Sequence, residues 1–209
     1  MKQGMLVIIT GCSGAGKKTV RRRLREDNPD LTYYPLYTTR LPKKKEQPGK
    51  DFCFISEAEF LDKEKEGDFL FSYKEGKLCY GIDKKATEKA LSEGKVLLVD
   101  LSHPAAKELR KLYKGRYTLT IDIVIPAEDV LESRVRRGLH GLSPYQIHKA
   151  VREASADNKD TADYDVVLNN YELKRTVKRC NQAIQGRLNY INTVEEGKEP
   201  PATYIIKRP

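Results

Sequence analysis

The segment IITGCSGAGKKTVRRRL (Ile8–Leu24) decides the fold of this 209-residue chain. It begins inside an apolar run, Met5–Thr10, that predicts a β-strand, and it ends in a basic helical pattern. Between the two, Gly11, Gly16 and Lys17 fit GxxxxGK. Glycines let backbone N–H groups converge on phosphate oxygens, the helix N-terminus favours negative charge, and the lysine reaches the β and γ phosphates. The segment therefore predicts a phosphate-binding loop.

One position departs from the strict pattern. Lys18 stands where a serine or threonine hydroxyl usually holds magnesium, and Thr19 is the nearest substitute. Because Mg²⁺ commonly keeps most of its ligands from water and phosphates, we expect the loop to work, with Thr19 as the predicted metal ligand.

The charge of the chain favours anionic ligands. Lys and Arg number 39 against 30 Asp and Glu, a net charge of +9, with basic clusters at 21–23, 43–45 and 107–116. No aromatic RNA-binding motif, zinc-finger spacing or basic zipper accompanies this charge. We therefore expect nucleotide phosphates as ligands, or an ordinary solvated basic surface, and no nucleic acid.

Cysteine usage and apolar runs bear on location. The four cysteines are scattered, without a CxxC pair or a His/Cys cluster, so neither zinc nor a disulfide framework is indicated. The longest apolar runs fall far short of the roughly 20 residues of a membrane span, and no signal-peptide pattern precedes them. We expect a cytoplasmic protein without a membrane partner.

Apolar runs alternate with helical patterns, which is typical of an α/β fold with a largely parallel sheet. Ser56 and Glu59 form the pattern of a capping box, and Ser143, Pro144 and Gln146 open a later helix. The predicted strands are 5–10, 52–55, 69–73, 78–80, 96–101, 118–125 and 165–168. Predicted helices with both ends assigned are about 17–26, about 127–137, 143–156 and 172–188. Two further helices are predicted to begin after Ser56 and after Ser102.

Five segments resemble, in order and spacing, the guanylate kinase family of P-loop nucleoside monophosphate kinases. They are GCSGAGKKTVRRRL, YTTRLPKKKEQPGKDFCFISEAEF, CYGI, VLLVD and LESRVRRG, and the resemblance covers about residues 4–170. It implies an α/β P-loop NTPase core with a parallel sheet, a small β insertion that binds the acceptor and a helical lid that closes over ATP. The implied boundaries are core 1–35, 82–126 and 157–192, acceptor-binding region 36–81, lid 127–156 and tail 193–209.

The resemblance also implies two sets of binding residues. The ATP-binding set is Gly11, Ser13, Gly14, Ala15, Gly16, Lys17, Lys18, Thr19, Arg134 and Arg137. The acceptor-binding set is Leu36, Arg40, Lys43, Phe52, Phe71, Tyr80 and Asp100. The implied catalytic residues are Lys17, Arg40 and Arg137, and the implied cofactors are ATP and Mg²⁺.

Several acceptor-binding positions differ from the family pattern. Lys43 replaces an arginine and so lacks the bidentate fork, and Phe52 replaces a tyrosine. Family members read guanine with a serine before TTR and a glutamate before YG, and Leu36 and Phe71 stand at these places. Neither side chain can pair with the N1–H and amino group of guanine.

Other residues are left open. Asp100 ends its strand as the family aspartate does, but Ser102 replaces the second aspartate of DxD. Leu36 and Phe71 are alternatively core residues, and Arg134 and Arg137 alternatively a solvated helix face. The three histidines are expected at the surface or at helix caps: His103, His140 and His148.

We therefore expect an ATP-dependent phosphotransferase that moves the γ-phosphoryl group to a nucleoside monophosphate, GMP or dGMP by the family default. One alternative is another acceptor, such as another nucleoside monophosphate or ribose 1,5-bisphosphate, since LFSYKEGKLCYG is similar to the corresponding segment of bacterial ribose 1,5-bisphosphate kinases. The other is a non-catalytic guanylate kinase-like binding module, against which Lys17 argues. The expected partner is a small phosphate acceptor, and the protein is expected to be a monomer or homodimer.

Overall fold

The computed structural model describes residues 4–44, 46–113, 117–138, 143–159, 161 and 164–197. Within them the chain forms nine strands and seven helices. The strands are β1 (Met5–Thr10), β2 (Leu31–Tyr33), β3 (Leu36–Thr38), β4 (Phe52–Phe54), β5 (Phe69–Glu75), β6 (Leu78–Asp83), β7 (Val96–Asp100), β8 (Thr118–Val124) and β9 (Val166–Asn169). The helices are α1 (Lys17–Asp27), α2 (Glu57–Lys65), α3 (Lys84–Ser92), α4 (His103–Tyr113), α5 (Glu128–Gly138), α6 (Pro144–Lys159) and α7 (Leu173–Glu195).

Five strands form the main sheet, in the order β2-β7-β1-β8-β9. β2 pairs parallel with β7, and β8 pairs parallel with β9. Every residue of β1 and of β8 is buried, as expected for parallel strands that are covered on both faces. The predicted α/β fold with a parallel sheet is confirmed, and β1 has the predicted bounds.

The chain divides into two compact units. The first consists of the residues up to Leu6 together with Asp30–Val99. It contains a four-stranded sheet of order β4-β3-β6-β5, in which β6 is antiparallel to both of its neighbours. α2 begins with the predicted capping box, because the Ser56 hydroxyl accepts from the Glu59 N–H and the Glu59 carboxylate accepts from the Ser56 N–H.

The second unit consists of Val7–Pro29 together with the residues from Asp100 onward. In it α7 packs against α1, β8 and β9, α4 packs against β8, and α5 packs against α6. The start of α6 is stabilised as predicted, since the Gln146 side chain accepts from the Ser143 N–H and the Ser143 hydroxyl accepts from the Gln146 N–H.

The structure extends the predicted elements in several places. β2, β3 and α3 were not predicted, and β5 and β6 run two and three residues longer than expected. α7 continues beyond its predicted end to Glu195, into the predicted tail, and this extension buries Ile191; residues 198–209 lie outside the described residues. Among the helices of the described segments, none combines the length and apolar character needed to cross a bilayer.

Candidate active site

The predicted phosphate-binding loop connects β1 to α1 and is shaped by its glycines. Gly11 and Gly16 have φ angles of 143° and 96°, which residues with side chains rarely adopt. A Cβ at Gly11 would lie 2.4 Å from the carbonyl oxygen of Ile123, and a Cβ at Gly16 would lie 2.6 Å from Nδ2 of Asn170. Only glycine fits at these two places.

The N-terminus of α1 is open to an anion. Gly16 is the N-cap, no side chain caps it, and the first turn contains no acidic residue. Thr19 and Val20 both donate their N–H groups to the Gly16 carbonyl. An uncapped N-terminus of this kind carries partial positive charge and favours a bound phosphate.

Lys17 lies over the loop. Its Nζ donates to the carbonyl of Gly11 and, at 3.0 Å, to that of Cys12. Burial lowers the pKa of Lys17, and the nearby Asp100 carboxylate opposes this effect. The side chain is therefore held at the loop by backbone carbonyls.

Asp100, at the end of β7, is paired with α1. Its Oδ2 lies 2.6 Å from Nη1 of the buried Arg21. Its Oδ1 is buried without a hydrogen-bond partner among the described residues. The acceptor-binding role expected for Asp100 stays a prediction.

Two asparagines that the sequence did not indicate hold the loop. Asn170 donates through Nδ2 to the carbonyl of Ala15 at 2.7 Å. Asn158, on α6, accepts from the Ile125 N–H at 2.8 Å and from Sγ of Cys12 at 3.5 Å, and donates back to the Ile125 carbonyl. The partners are between 33 and 155 residues away, so a local sequence pattern gave no signal.

The two lid arginines lie on α5. A Cβ at Gly14 would lie 2.9 Å from Cγ2 of Val135 and 3.5 Å from the backbone carbon of Arg134, so α5 reaches the loop at Arg134. Arg137 is exposed, and the intervening Arg136 pairs with Glu132. Three of the remaining loop residues predicted to bind ATP are exposed: Ser13, Lys18 and Thr19.

A cavity of about 380 Å³ lies beyond the ends of β8 and β9. Its lining includes Pro126, Leu131, Asn158 and Asn169. Ligands of open parallel sheets bind at this carboxyl edge, so the second unit offers both a phosphate-binding loop and neighbouring space for a larger ligand.

His103 was expected at the surface or at a helix cap. It is the first residue of α4 but does not lie at the surface, since it is 5% exposed and its Nε2 lies 2.9 Å from Oδ1 of Asp122, which is fully buried. The ring also packs against Tyr164. His148 is exposed as expected, and His140 lies outside the described residues.

In the first unit, two threonine hydroxyls shape the segment around Arg40. Thr38 accepts from the Arg40 N–H at 3.2 Å, and Thr39 accepts from the Cys79 N–H at 2.9 Å. Hydroxyl side chains can replace backbone groups in this way. The TTR segment therefore fixes the backbone from which the Arg40 side chain projects.

The Arg40 guanidinium is surrounded by specific partners. It lies 4.9 Å from the ring centre of Phe52 and donates to the Leu41 carbonyl at 2.8 Å, and both of its terminal nitrogens lie 3.0 Å from Glu46 carboxylate oxygens. Burial raises the pKa of the Tyr80 hydroxyl, and hydrogen bonding with Arg40 and Thr38 opposes the rise. Tyr80 and Arg40 thus lie together.

Aromatic residues cover the same face of the small sheet. Leu36 is opposite Phe52, and Tyr73 is opposite Tyr80. Tyr73 stacks on Tyr80 at 5.1 Å and on Phe71 at 5.7 Å. Leu36 and Phe71 are 4% and 8% exposed.

The structure thus brings together five of the seven residues expected to bind the acceptor: Leu36, Arg40, Phe52, Phe71 and Tyr80. Lys43 lies on the exposed segment after Arg40, and Asp100 belongs to the second unit. The first unit therefore offers a face with an arginine and a tyrosine hydroxyl at one place and apolar side chains beside them.

Comparisons with known proteins identify the family of the chain. The guanylate kinase family model matches residues 3–187. A guanylate kinase from Nitratidesulfovibrio vulgaris is 32% identical over 184 residues, which cover 87% of this chain and 86% of the relative. One from Syntrophus aciditrophicus is 27% identical over 183 residues, covering 88% and 86%.

The crystal structure of guanylate kinase from Anaplasma phagocytophilum has the same fold. It matches with a TM-score of 0.73 at 20% identity, over 90% of this chain and 88% of that chain. Together, the family model and the relatives, which are named guanylate kinases and thus ATP-dependent nucleoside monophosphate kinases, show that this chain belongs to the guanylate kinase family.

Proposed function

We propose that the protein transfers the γ-phosphoryl group of ATP to the phosphate of a small acceptor, a nucleoside monophosphate by family. The observation that carries this proposal is the open N-terminus of α1 beside Lys17, in a chain whose other unit presents Arg40 and Tyr80 on one face. Phosphoryl transfer depends on positioning and charge neutralisation, and these groups supply both.

At the ATP end, Lys17 exchanges its bonds to the Gly11 and Cys12 carbonyls for phosphate oxygens, which are stronger acceptors. The loop N–H groups bind the phosphates, and Arg134 and Arg137 neutralise the charge of the group being transferred. The exposed Thr19 hydroxyl fits an Mg²⁺ ion that is held mainly by ATP and water. Such an ion supplies further charge neutralisation.

At the acceptor end, Arg40, Tyr80 and Lys43 hold the acceptor phosphate. A phosphate monoester is already an anionic nucleophile, so the chain needs no general base. In this scheme residues 36–81 form the acceptor-binding region and residues 127–156 form the lid.

A second candidate acceptor follows from Leu36 and Phe71. Both are buried on the face that carries Arg40 and Tyr80, and neither offers a hydrogen bond to a base. Each buried donor left unpaired costs about 1 to 3 kcal/mol. This composition favours an acceptor with an apolar or absent base, such as a phosphosugar, over GMP.

An ADP-release assay against a panel of phosphate acceptors tests the proposal. The panel is GMP, dGMP, AMP, CMP, UMP, dTMP and ribose 1,5-bisphosphate, with ATP and Mg²⁺. ADP release that depends on one of these acceptors supports the proposal. A protein that binds ATP but releases no ADP with any of them contradicts it and favours the binding-module alternative.

A further inference from the structure

We propose that Glu46 positions Arg40 for the acceptor phosphate and remains bound to it while the phosphate is held. The inference rests on the proposed function, because it assigns a permanent partner to the arginine that we place at the acceptor phosphate. Glu46 is a positioning residue in this scheme, since it acts through Arg40.

The ion pair between Arg40 and Glu46 is bidentate and partly buried. Nη1 of Arg40 lies 3.0 Å from Oε2 of Glu46, and Nη2 donates to Oε1 at 3.0 Å. The two side chains are 17% and 13% exposed. Two parallel contacts fix the plane of a guanidinium as well as its position.

Further contacts hold each partner independently. The Lys43 N–H donates to Oε2 of Glu46 at 2.9 Å, and Phe52 and Phe54 lie 4.9 and 5.7 Å from the guanidinium carbon of Arg40. Burial alone would raise the pKa of Glu46, but the hydrogen bonds from Arg40 and Lys43 hold this pKa below its usual value. Glu46 is therefore a carboxylate whose position does not depend on a ligand.

This anchoring argues against displacement of Glu46 by the phosphate. A displaced Glu46 would leave a partly buried carboxylate without its guanidinium partner, beside an incoming dianion. Arginine has five N–H donors, so Arg40 can keep its contacts with Glu46 and Leu41 and still donate to a phosphate. The phosphate then meets a guanidinium that is already oriented.

Binding of GMP and of ribose 5-phosphate to Glu46→Gln, followed by ³¹P NMR titration, tests the assignment. Glutamine keeps the size of the side chain but removes its charge. We expect both ligands to bind roughly 10- to 100-fold more weakly, by the same factor, because the lost orientation acts on the phosphate that they share. ATP affinity should not change. Glu57→Gln, an exposed change in the first turn of α2, is the matched control and should bind both ligands as wild type does.

A double-mutant cycle separates positioning from a general structural role. In an Arg40→Ala background, Glu46→Gln should weaken binding by less than about twofold, since coupled residues are not additive. Tighter binding by Glu46→Gln would show that Glu46 competes with the phosphate and would overturn the inference. Unchanged binding, full additivity in the cycle, or no binding of either ligand by the wild type would also overturn it. If both ligands bind as expected but no acceptor supports ADP release, the proposed function fails and the pairing stands.

Discussion

The side-chain amide of Asn170 donates a 2.7 Å hydrogen bond to the carbonyl oxygen of Ala15, in the phosphate-binding loop. Asn170 is itself buried, and its own N–H donates to the carbonyl of Val124. Because the peptide between Ala15 and Gly16 is planar and trans, a carbonyl that points at Asn170 turns the Gly16 N–H away from it. Asn170 therefore orients one of the N–H groups that we expect to bind phosphate.

Asn170→Ala should weaken ATP binding by roughly tenfold. The Ala15 carbonyl would lose its hydrogen-bond partner, which costs about 1 to 3 kcal/mol for a buried group, and the Gly16 N–H would no longer be held in its orientation. The KM for the acceptor should stay the same. Calorimetric titration with ATP measures the effect. Wild-type affinity in this variant would show that the loop keeps its shape without Asn170.

Lys17→Ala should lower kcat by at least about a hundredfold, since one preorganised group that stabilises transition-state charge contributes this much or more. The side chain is bound only by carbonyls of its own loop among the contacts described for it, so the fold should persist. Arg22→Ala, an exposed change on the same helix, serves as the control. Equal kcat in the two variants would remove Lys17 from the mechanism.

Arg40→Ala should raise the KM for every active acceptor by a similar factor. The reason is that Arg40 is expected to contact the phosphate, which all acceptors share. Steady-state kinetics with at least two acceptors checks this. A loss confined to one acceptor would place Arg40 at the base or sugar instead.

Replacing both apolar residues, with Leu36→Ser and Phe71→Glu, should shift the preference toward GMP. In the wild type, two or three unpaired guanine donors should lower kcat/KM for GMP by roughly 10² to 10⁴, at 1.36 kcal/mol for each factor of ten. Stability must be measured alongside, because Phe71 is buried against Tyr73. Efficient turnover of GMP above all other acceptors by the wild type would refute this account of Leu36 and Phe71.

Asp122→Ala should lower the free energy of unfolding by about 1 to 3 kcal/mol, because it leaves a buried ring nitrogen of His103 without its hydrogen-bond partner. Urea unfolding measures the loss. A double change, His103→Leu with Asp122→Leu, should recover most of it, since a buried pair can often be replaced by apolar residues. A double variant as unstable as the single one would mean that the pair does more than satisfy its own hydrogen bond.

The parts of the fold that follow from local pattern could be predicted, and β1, the glycine loop, the capping box at Ser56 and the start of α6 at Ser143 are examples. α3 was not predicted, and only Thr87 and Ala90 of its nine residues are buried. β2 and β3 could not be predicted either, because each has only three residues and they lie on either side of Pro35.

The candidate sites show the same limit. Lys17 was predicted from a local motif, and the resemblance supplied Arg40 and Tyr80. Asn158, Asn170 and the pairing of His103 with Asp122 depend on residues that only the tertiary fold brings together. Glu46 lies inside the segment YTTRLPKKKEQPGKDFCFISEAEF, which carries the resemblance. Its bond to Arg40 could not be predicted, because it depends on how the chain turns between the two residues.

The most direct test of the central claim is to follow the γ-phosphoryl group itself. The protein is incubated with γ-labelled ATP, Mg²⁺ and each acceptor of the panel, and the label is located after separation of the products. We predict label on the phosphate of at least one acceptor, in equal amount to the ADP formed, and no such product with Lys17→Ala. Label found only in inorganic phosphate, at a rate independent of the acceptor, would contradict the assignment of this chain as a phosphotransferase.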